Sequence, residues 1–352
     1  MAAHRPVGVA VIGTGFGALT HVPGYRACED VEVLALVGRQ PEKSRRVAAE
    51  LGLPNAATSL DAILDLPGLD LISIATPNAN HASESIAALE AGKHVVVDKP
   101  MAVDTAEAEA MVAVAERTGL INVVNTELRF NPTRRRMKAL VEQGYLGRLY
   151  HVSVNSFHDY RPRLWSWKDS AQAGIVRGHG SHMVDLIRWI FGDVEGVVGG
   201  VVDTLIPERL DEEGAPRPVR YDDFASFTVR MANGAVGSFL FSTMAVRPKL
   251  NPHVEPAYMR VEAFGERGSL FLDLDDRLYG SEPGQAEWTE FTEPEPIVEE
   301  PAIRKRVWDL SFVRLARAVT ATIRGEGDLG PAATFRDGLA VTRVLDAALR
   351  LR

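Results

Sequence analysis

Cysteine occurs once in the 352 residues, as Cys28, so neither an intrachain disulfide nor a thiolate metal cluster within one subunit is available. An excess of positive charge is also missing. Against 47 Asp and Glu there are 39 Lys and Arg, a formal charge of -8, which removes the basic footprint that phosphate-backbone binding requires, and no nucleic-acid partner is expected. No apolar run reaches the roughly 20 residues of a membrane span. The longest, around Val194 to Ile206, is interrupted by Glu195, Asp203 and glycines, so no membrane partner is expected either. The first residues, Met1-Ala2-Ala3-His4-Arg5-Pro6, lack the charged segment and apolar core of a secretory leader, and a cytoplasmic location is expected. What is present is ordinary for a soluble protein, 46% hydrophobic and 24% charged residues, in a chain long enough for two cores.

Val7 to Ile12 is a short β-rich apolar run that stops at glycines, the pattern of a strand buried on both faces. Val31 to Val37, Leu69 to Ala75, His94 to Val97 and Leu120 to Val124 repeat it, separated by helical stretches at Pro41 to Leu51, Asn80 to Ala91 and Thr105 to Thr118. Alternation of this kind predicts an α/β fold with a doubly wound parallel sheet, a Rossmann domain over residues 1–125. Beyond Asn125 the pattern changes to longer strand candidates at Leu149 to Phe157, Phe224 to Met231, Val236 to Ser242 and Met259 to Phe264, with turn signals at Gly234 and Gly268. Residues 126–352 are therefore predicted to form an α+β domain with a large, open, mostly antiparallel sheet. Helices at Gly180 to Phe191, Ile303 to Arg324 and Ala332 to Leu349 are expected to cover one face of it.

Gly13-Thr14-Gly15-Phe16-Gly17-Ala18 follows the first strand and opens a helix, with Ala18 in the third small position of a G-x-G-x-x-G/A fingerprint. Gly13 permits the tight turn, Gly15 lets backbone approach a pyrophosphate, and Ala18 allows the helix to lie close on the strand. A glycine turn without a ligand is the plainer alternative. At the end of the second strand, where NAD enzymes place an acid against the ribose, the chain reads Val37-Gly38-Arg39-Gln40. An arginine there pairs with a 2'-phosphate, so NADP(H) is favoured over NAD(H).

Two further segments leave predicted strand ends: Ala75-Thr76-Pro77-Asn78 with His81, and Ala91-Gly92-Lys93-His94-Val95-Val96-Val97-Asp98-Lys99-Pro100. With Arg129-Phe130-Asn131-Pro132 and Gly180-Ser181-His182-Met183-Val184-Asp185, they give the chain a pattern that resembles the glucose-fructose oxidoreductase, inositol dehydrogenase and rhizopine catabolism (Gfo/Idh/MocA) family over nearly its whole length. Asp98 stands where that family carries glutamate. The resemblance implies a dinucleotide site that draws on Gly13 to Ala18, Gly38, Arg39, Thr76, Pro77, Asn78, His81, Asp98, Lys99 and Arg129. It also implies that Lys99 and His182 serve hydride transfer on a hydroxyl or carbonyl of a small-molecule substrate, a sugar or cyclic polyol. An ammonium stabilises developing alkoxide charge, and an imidazole takes or gives the hydroxyl proton near neutrality.

The family's aspartate four residues before this histidine is replaced by Gly178, so water, His179 or substrate groups are left to fill its place. Asp185, three residues beyond His182, shares its helical face and is a candidate to orient it. His179 and His182 share a face as well, but no third ligand lies near except Asp185, and no metal is expected. Trp165 and Trp167 are candidates for a lid over nicotinamide and sugar, or for packing anchors. Two other functions fit the same motifs: an NAD-dependent glycosidase or lyase that oxidises its substrate transiently, and a nonenzymatic dinucleotide-binding protein. The open sheet predicts a homodimer or homotetramer.

Overall fold

Val7–Ile12 forms a strand (β1) buried at every residue, as an apolar run without polar alternation requires when both sheet faces are covered. It lies in a computed structural model that describes residues 5–158, 174–211, 213–244, 259–295, 303 and 306–352. The chain divides into two compact units, Met1–Phe130 with Ile297–Leu339, and Asn131–Pro296 with Ala340–Arg352. The cut expected at 125/126 therefore moves to Phe130/Asn131, and residues 297–339 return to the first unit.

In the first unit, β1 is joined by β2 (Val31–Val37), β3 (Asn55–Ala57), β4 (Leu69–Ile74), β5 (His94–Asp98) and β6 (Asn122–Asn125). The sheet order is β6-β5-β4-β1-β2-β3, every neighbouring pair parallel, with Ala333–Thr334 added antiparallel to β6. The order reverses between β1 and β4, and a crevice at such a switch point is where open α/β sheets bind ligands. One face is packed by α3 (His81–Glu90) and α4 (Thr105–Thr118), whose Ala88, Leu89, Met111 and Ala115 join Ile12, Ile72 and Val95 in one core.

The other face begins with a π-helical turn, Gly17–His21, that runs into α1 (Val22–Arg26), while α2 (Pro41–Glu50) follows β2. A five-residue helix covers little of a seven-stranded sheet, and the helix Val307–Ile323 completes the layer. Its Phe312, Leu315 and Val319 pack with Val9, Val11, Leu71 and Val96. This corrects the expectation that the 303–324 segment covers the antiparallel sheet. The contact is tight: a Cβ on Gly24 would lie 2.5 Å from Phe312 Cδ1.

In the second unit, α5 (Pro132–Glu142) leads to β7 (Leu149–Phe157), then α6 (Ile175–Gly178) and α7 (Gly180–Phe191) precede β8 (Val194–Asp203). A short ribbon follows, β9 (Glu208–Leu210) with β10 (Pro216–Pro218), and then β11 (Phe224–Met231), β12 (Val236–Ser242), β13 (Met259–Gly265), β14 (Ser269–Leu272), β15 (Leu278–Ser281) and β16 (Thr289–Glu290). The eight strands of the large sheet run in the order β16-β15-β14-β13-β7-β12-β11-β8, antiparallel throughout except for β7 beside β12. Alternate residues are buried, with Phe227 stacked on Phe239 and Phe241 edge-on to both on the inner face, where Gly180 of α7 lies against Phe241. Among the described residues no helix is long and apolar enough to cross a membrane.

Candidate active site

The glycine loop opens on a cavity of about 680 Å³ in the first unit. Gly13 has φ 126°, and a Cβ there would lie 2.3 Å from the Ala75 carbonyl oxygen, so the turn admits no side chain. At Gly15 a Cβ would meet nothing within 4 Å, which leaves the backbone open to the cavity. The close approach of helix to strand falls on Gly17, where a Cβ would lie 2.9 Å from Val11 Cγ1, rather than on Ala18, which is simply buried. Phe16, Gly17 and Ala18 do not line the cavity; Phe16 is 40% exposed and meets the His21 ring edge-on at 5.5 Å.

The sequence-predicted Gly13, Thr14, Gly15, Gly38, Arg39, Thr76 and Pro77 do line it. So do residues that the sequence left unmarked: Thr58, Ser59, Leu60 and Asp61 after β3, and Ser83, Glu84 and Ala87 on α3. At the end of β2, a Cβ on Gly38 would lie 2.4 Å from Thr14 Cγ2, and Ser44 Oγ donates to the Gly38 carbonyl at 2.7 Å. No acid stands at position 38, and a side chain there would require Thr14 and Ser44 to shift. Exposed Arg39 also lines a second cavity of about 340 Å³ with Thr14, Gln40 and Lys43, a recess with two cationic side chains. The open backbone at Gly15, the cavity volume and this cationic recess all fit a nicotinamide dinucleotide.

Three implied cofactor ligands make hydrogen bonds within the fold. His81 is 1% exposed, its Nδ1 lies 2.9 Å from the Pro100 carbonyl oxygen and its Nε2 2.9 Å from that of Thr76, and burial holds the ring below the usual histidine range. It ties the β4 loop to the cis Lys99-Pro100 peptide. Arg129, 4% exposed, donates to Asp337 Oδ1 and to the Pro331 carbonyl, both at 3.3 Å, and so fastens the C-terminal segment to this unit. Asp98 lies 3.2 Å from His21 Nε2 and accepts from Asn125 Nδ2 at 2.7 Å. Burial alone would raise the Asp98 carboxyl, but His21 and Asn125 outweigh it and hold it below its ordinary value. Asn78 opens a 3-10 turn; its amide nitrogen is buried and makes no hydrogen bond to a described residue.

Lys99 follows β5 directly. Burial pushes its ammonium below the ordinary lysine value, against the opposing charges of Glu127 and Asp98. Glu127, 5% exposed, is the residue that sequence reasoning missed here. The parallel register Asp98↔Asn125 explains it, since Lys99 and Glu127 leave adjacent strand ends one and two residues beyond a paired position. A carboxylate two residues before Arg129 is the signal that would have found it.

In the second unit, His179 caps α7, His182 lies in its first turn and Asp185 is buried three residues on. The His179 ring lies 3.8 Å, centroid to centroid, from that of His158, a buried residue at the end of β7 whose Nε2 is 3.0 Å from Ser156 Oγ. No sequence motif pointed to His158. A Cβ on Gly178 would meet nothing within 4 Å, so space for the family's aspartate is present although the residue is not. Trp165 and Trp167 lie outside the described residues. Among the described residues no group of three or more His, Cys, Asp or Glu side chains is placed to hold a metal ion.

Residues 7–126 match the model of the GFO/IDH/MocA oxidoreductase family with its NAD-binding Rossmann fold, and residues 134–271 match the GFO/IDH/MocA C-terminal domain. The chain belongs to the Gfo/Idh/MocA oxidoreductase family. It is similar to levoglucosan dehydrogenase of Pseudarthrobacter phenanthrenivorans, 29% identical over 296 residues covering 76% of this chain and 74% of the relative. Among solved structures it is similar to levoglucosan dehydrogenase in complex with NADH and levoglucosan, with a TM-score of 0.84, 26% identity, and 99% and 97% of the two chains covered. An oxidoreductase domain protein from Kribbella flavida superposes with a TM-score of 0.85 at 28% identity over 99% and 97%. Membership agrees with the topology, a parallel sheet with a switch point in one unit and an open antiparallel sheet in the other.

Proposed function

We propose that this family member is an NAD(P)-dependent dehydrogenase or reductase of a sugar, cyclic polyol or related hydroxyl or carbonyl compound, with NADP(H) favoured. The observation that carries the reading is the cavity against Gly13 and Gly15, in the same unit as Lys99, whose ammonium burial has destabilised. The bound nicotinamide supplies the site that accepts or donates hydride. Lys99 polarises the reacting oxygen, and His182 takes or returns its proton. Levoglucosan dehydrogenase, an enzyme named for an anhydrosugar, supports the substrate class. NADP(H) preference is supported by Arg39 and Lys43 around their recess and by the absence of an acid at Gly38. The half-exposed outer face of the large sheet supports assembly as a homodimer or homotetramer.

Purified protein is to be assayed with NADP+ and NAD+ against sugars, anhydrosugars and polyols, beginning with levoglucosan, by the appearance of reduced nicotinamide. Stoichiometric reduction is expected. Substrate turnover without net reduction would instead identify the transient-oxidation glycosidase or lyase chemistry. Calorimetric titration is expected to show NADPH binding tighter than NADH, and Arg39→Ala is expected to weaken NADPH by roughly 10-fold while leaving NADH nearly unchanged. Tighter binding of NADH by the unaltered protein would overturn the NADP(H) preference.

A further inference from the structure

Besides the glycine loop, the cavity is lined by two neighbouring strand ends and one helix. Val37 of β2 pairs with Ala57 of β3, so Gly38-Arg39 and Thr58–Asp61 leave the sheet side by side, and α3 faces the cavity with Ser83, Glu84 and Ala87. Glu84 is the unexpected member. A carboxylate in the first turn of a helix that otherwise packs into an apolar core is costly to dehydrate, and burial does push it above its ordinary value, with the Thr76 hydrogen bond and the Arg39 charge opposing the shift. One of its oxygens, Oε2, accepts from Thr76 Oγ1 at 2.7 Å, and Oε1 accepts no hydrogen bond from a described residue. The cavity is also lined by the apolar Leu60 and Ala87.

Apolar surface for a flat ring together with a fixed acceptor for its edge is the arrangement that recognises a base carrying an amino group. An ionised carboxylate only accepts, so it rewards an N–H donor and repels a carbonyl oxygen. The strand end at Gly38-Arg39 is where a Rossmann site holds the adenosine ribose, so the base carried by that ribose belongs to this wall. We infer that Glu84, fixed by Thr76, reads the 6-amino group of the dinucleotide's adenine and makes this cavity select 6-aminopurine over 6-oxopurine dinucleotides. The inference rests on the reading of the cavity as the dinucleotide site. It assigns Glu84 a role in specificity rather than in hydride transfer.

The test is equilibrium binding, by calorimetry or quenching of protein fluorescence, of NADH and NADPH and of their nicotinamide hypoxanthine counterparts, in which the 6-amino group is replaced by oxygen. The unaltered protein is expected to bind the adenine forms roughly 10-fold to 100-fold tighter, the span of a hydrogen bond to a charged group. Glu84→Leu is expected to reduce that ratio to near one by weakening the adenine forms. Thr76→Val, which frees the carboxylate without removing it, is expected to narrow the ratio part-way. Equal binding of both bases by the unaltered protein would overturn the inference. So would a Glu84→Leu variant that keeps the full ratio, that weakens both bases equally as a ribose contact would, or that merely gains affinity for the phosphorylated pair as release from charge repulsion would. Loss of the ratio in Asp61→Asn but not in Glu84→Leu would move the role to Asp61 and equally overturn it. If no dinucleotide bound at all, the site reading would fail, an outcome distinct from binding without selection.

Discussion

Lys99 and Glu127 form the pair of charges on which the proposed chemistry turns in the first unit. A buried ammonium gives up its proton more readily than one in water, and a neighbouring carboxylate restores its basicity. Because Lys99 is lowered and Glu127 opposes that lowering, the ammonium is lost as pH rises through a value below the ordinary 10.5, and removing Glu127 brings that loss to lower pH still. The alkaline limb of kcat/KM on the best substrate of the panel is thus expected to shift to lower pH in Glu127→Gln; a profile that does not move would separate Glu127 from Lys99. Lys99→Ala and His182→Ala are each expected to cost on the order of 100-fold or more in kcat, with dinucleotide affinity retained. The double variant is expected to cost little more than either, because the proposed chemistry has both groups serve one transfer. Near-normal turnover in both single variants would remove them from the reaction. The sequence pointed to Lys99, His182 and the glycine loop as candidates because their motifs are local in the chain. Glu127, Glu84 and His158 were invisible to it, because a strand register, a cavity wall and a ring contact join residues that no local spacing relates. The resemblance placed His81, Asp98 and Arg129 at the cofactor. A motif marks a position as constrained without saying whether ligand or fold imposes the constraint, and all three make hydrogen bonds within the fold.

Among the elements, the helix Val307–Ile323 shows most clearly what a sequence pattern leaves open. Its apolar periodicity announced a helix, and neither period nor composition says which sheet receives it. The receiving surface was created by a local deficit, the short α1 beyond a π-helical turn, which leaves Val9, Val11 and Leu71 without cover from their own crossover. Gly24 records the fit, since only a residue without Cβ lets Phe312 lie where it does. Gly24→Ala is expected to destabilise the chain by about 1–3 kcal/mol through overpacking, read as a lower urea midpoint. A variant as stable as the parent would show that Phe312 yields at no cost and that this layer is loosely packed. Strands and helices with a clean period were legible to within a few residues: β1, β2, β7, β11, β12, α4 and α7 lie where alternation and periodicity set them. β8 was not, because its glycines break the apolar alternation. Gly200, with φ 151° and room for no Cβ beside the Ser226 carbonyl at 2.1 Å, supplies a tight pairing to β11 that a reading of hydrophobic pattern scores as a loop.

For the molecule as a whole, the unresolved demand of the architecture is the outer face of the large sheet. Its inner face buries Val152, Val154, Phe227, Phe239, Val261 and Ala263, while the alternate residues Ser153, Asn155, Ser226, Thr228, Ser238, Leu240 and Glu262 remain half-exposed. This is neither the charged surface of a sheet that faces water nor the aliphatic surface of a second core. Small hydroxyl side chains with Leu240 among them, His151 bonded to Ser238 at 2.9 Å and stacked on Phe264 at 6.0 Å, give a mostly uncharged field at the centre of eight strands. A two-fold contact between such faces buries them without asking either copy to change shape, and isologous pairing is the commonest closed solution. Leu240 pairs with Ser226 on one side and Asn155 on the other, so a cation placed there stands in the middle of the field with no carboxylate on its immediate neighbours. Light scattering of the unaltered protein is expected to give a dimer or tetramer at micromolar concentration, and Leu240→Arg, which leaves the inner face untouched, is expected to give a folded species of smaller mass. A monomeric parent would show that this face meets solvent, and an unchanged oligomer in Leu240→Arg with an intact circular dichroism spectrum would place the contact on another surface.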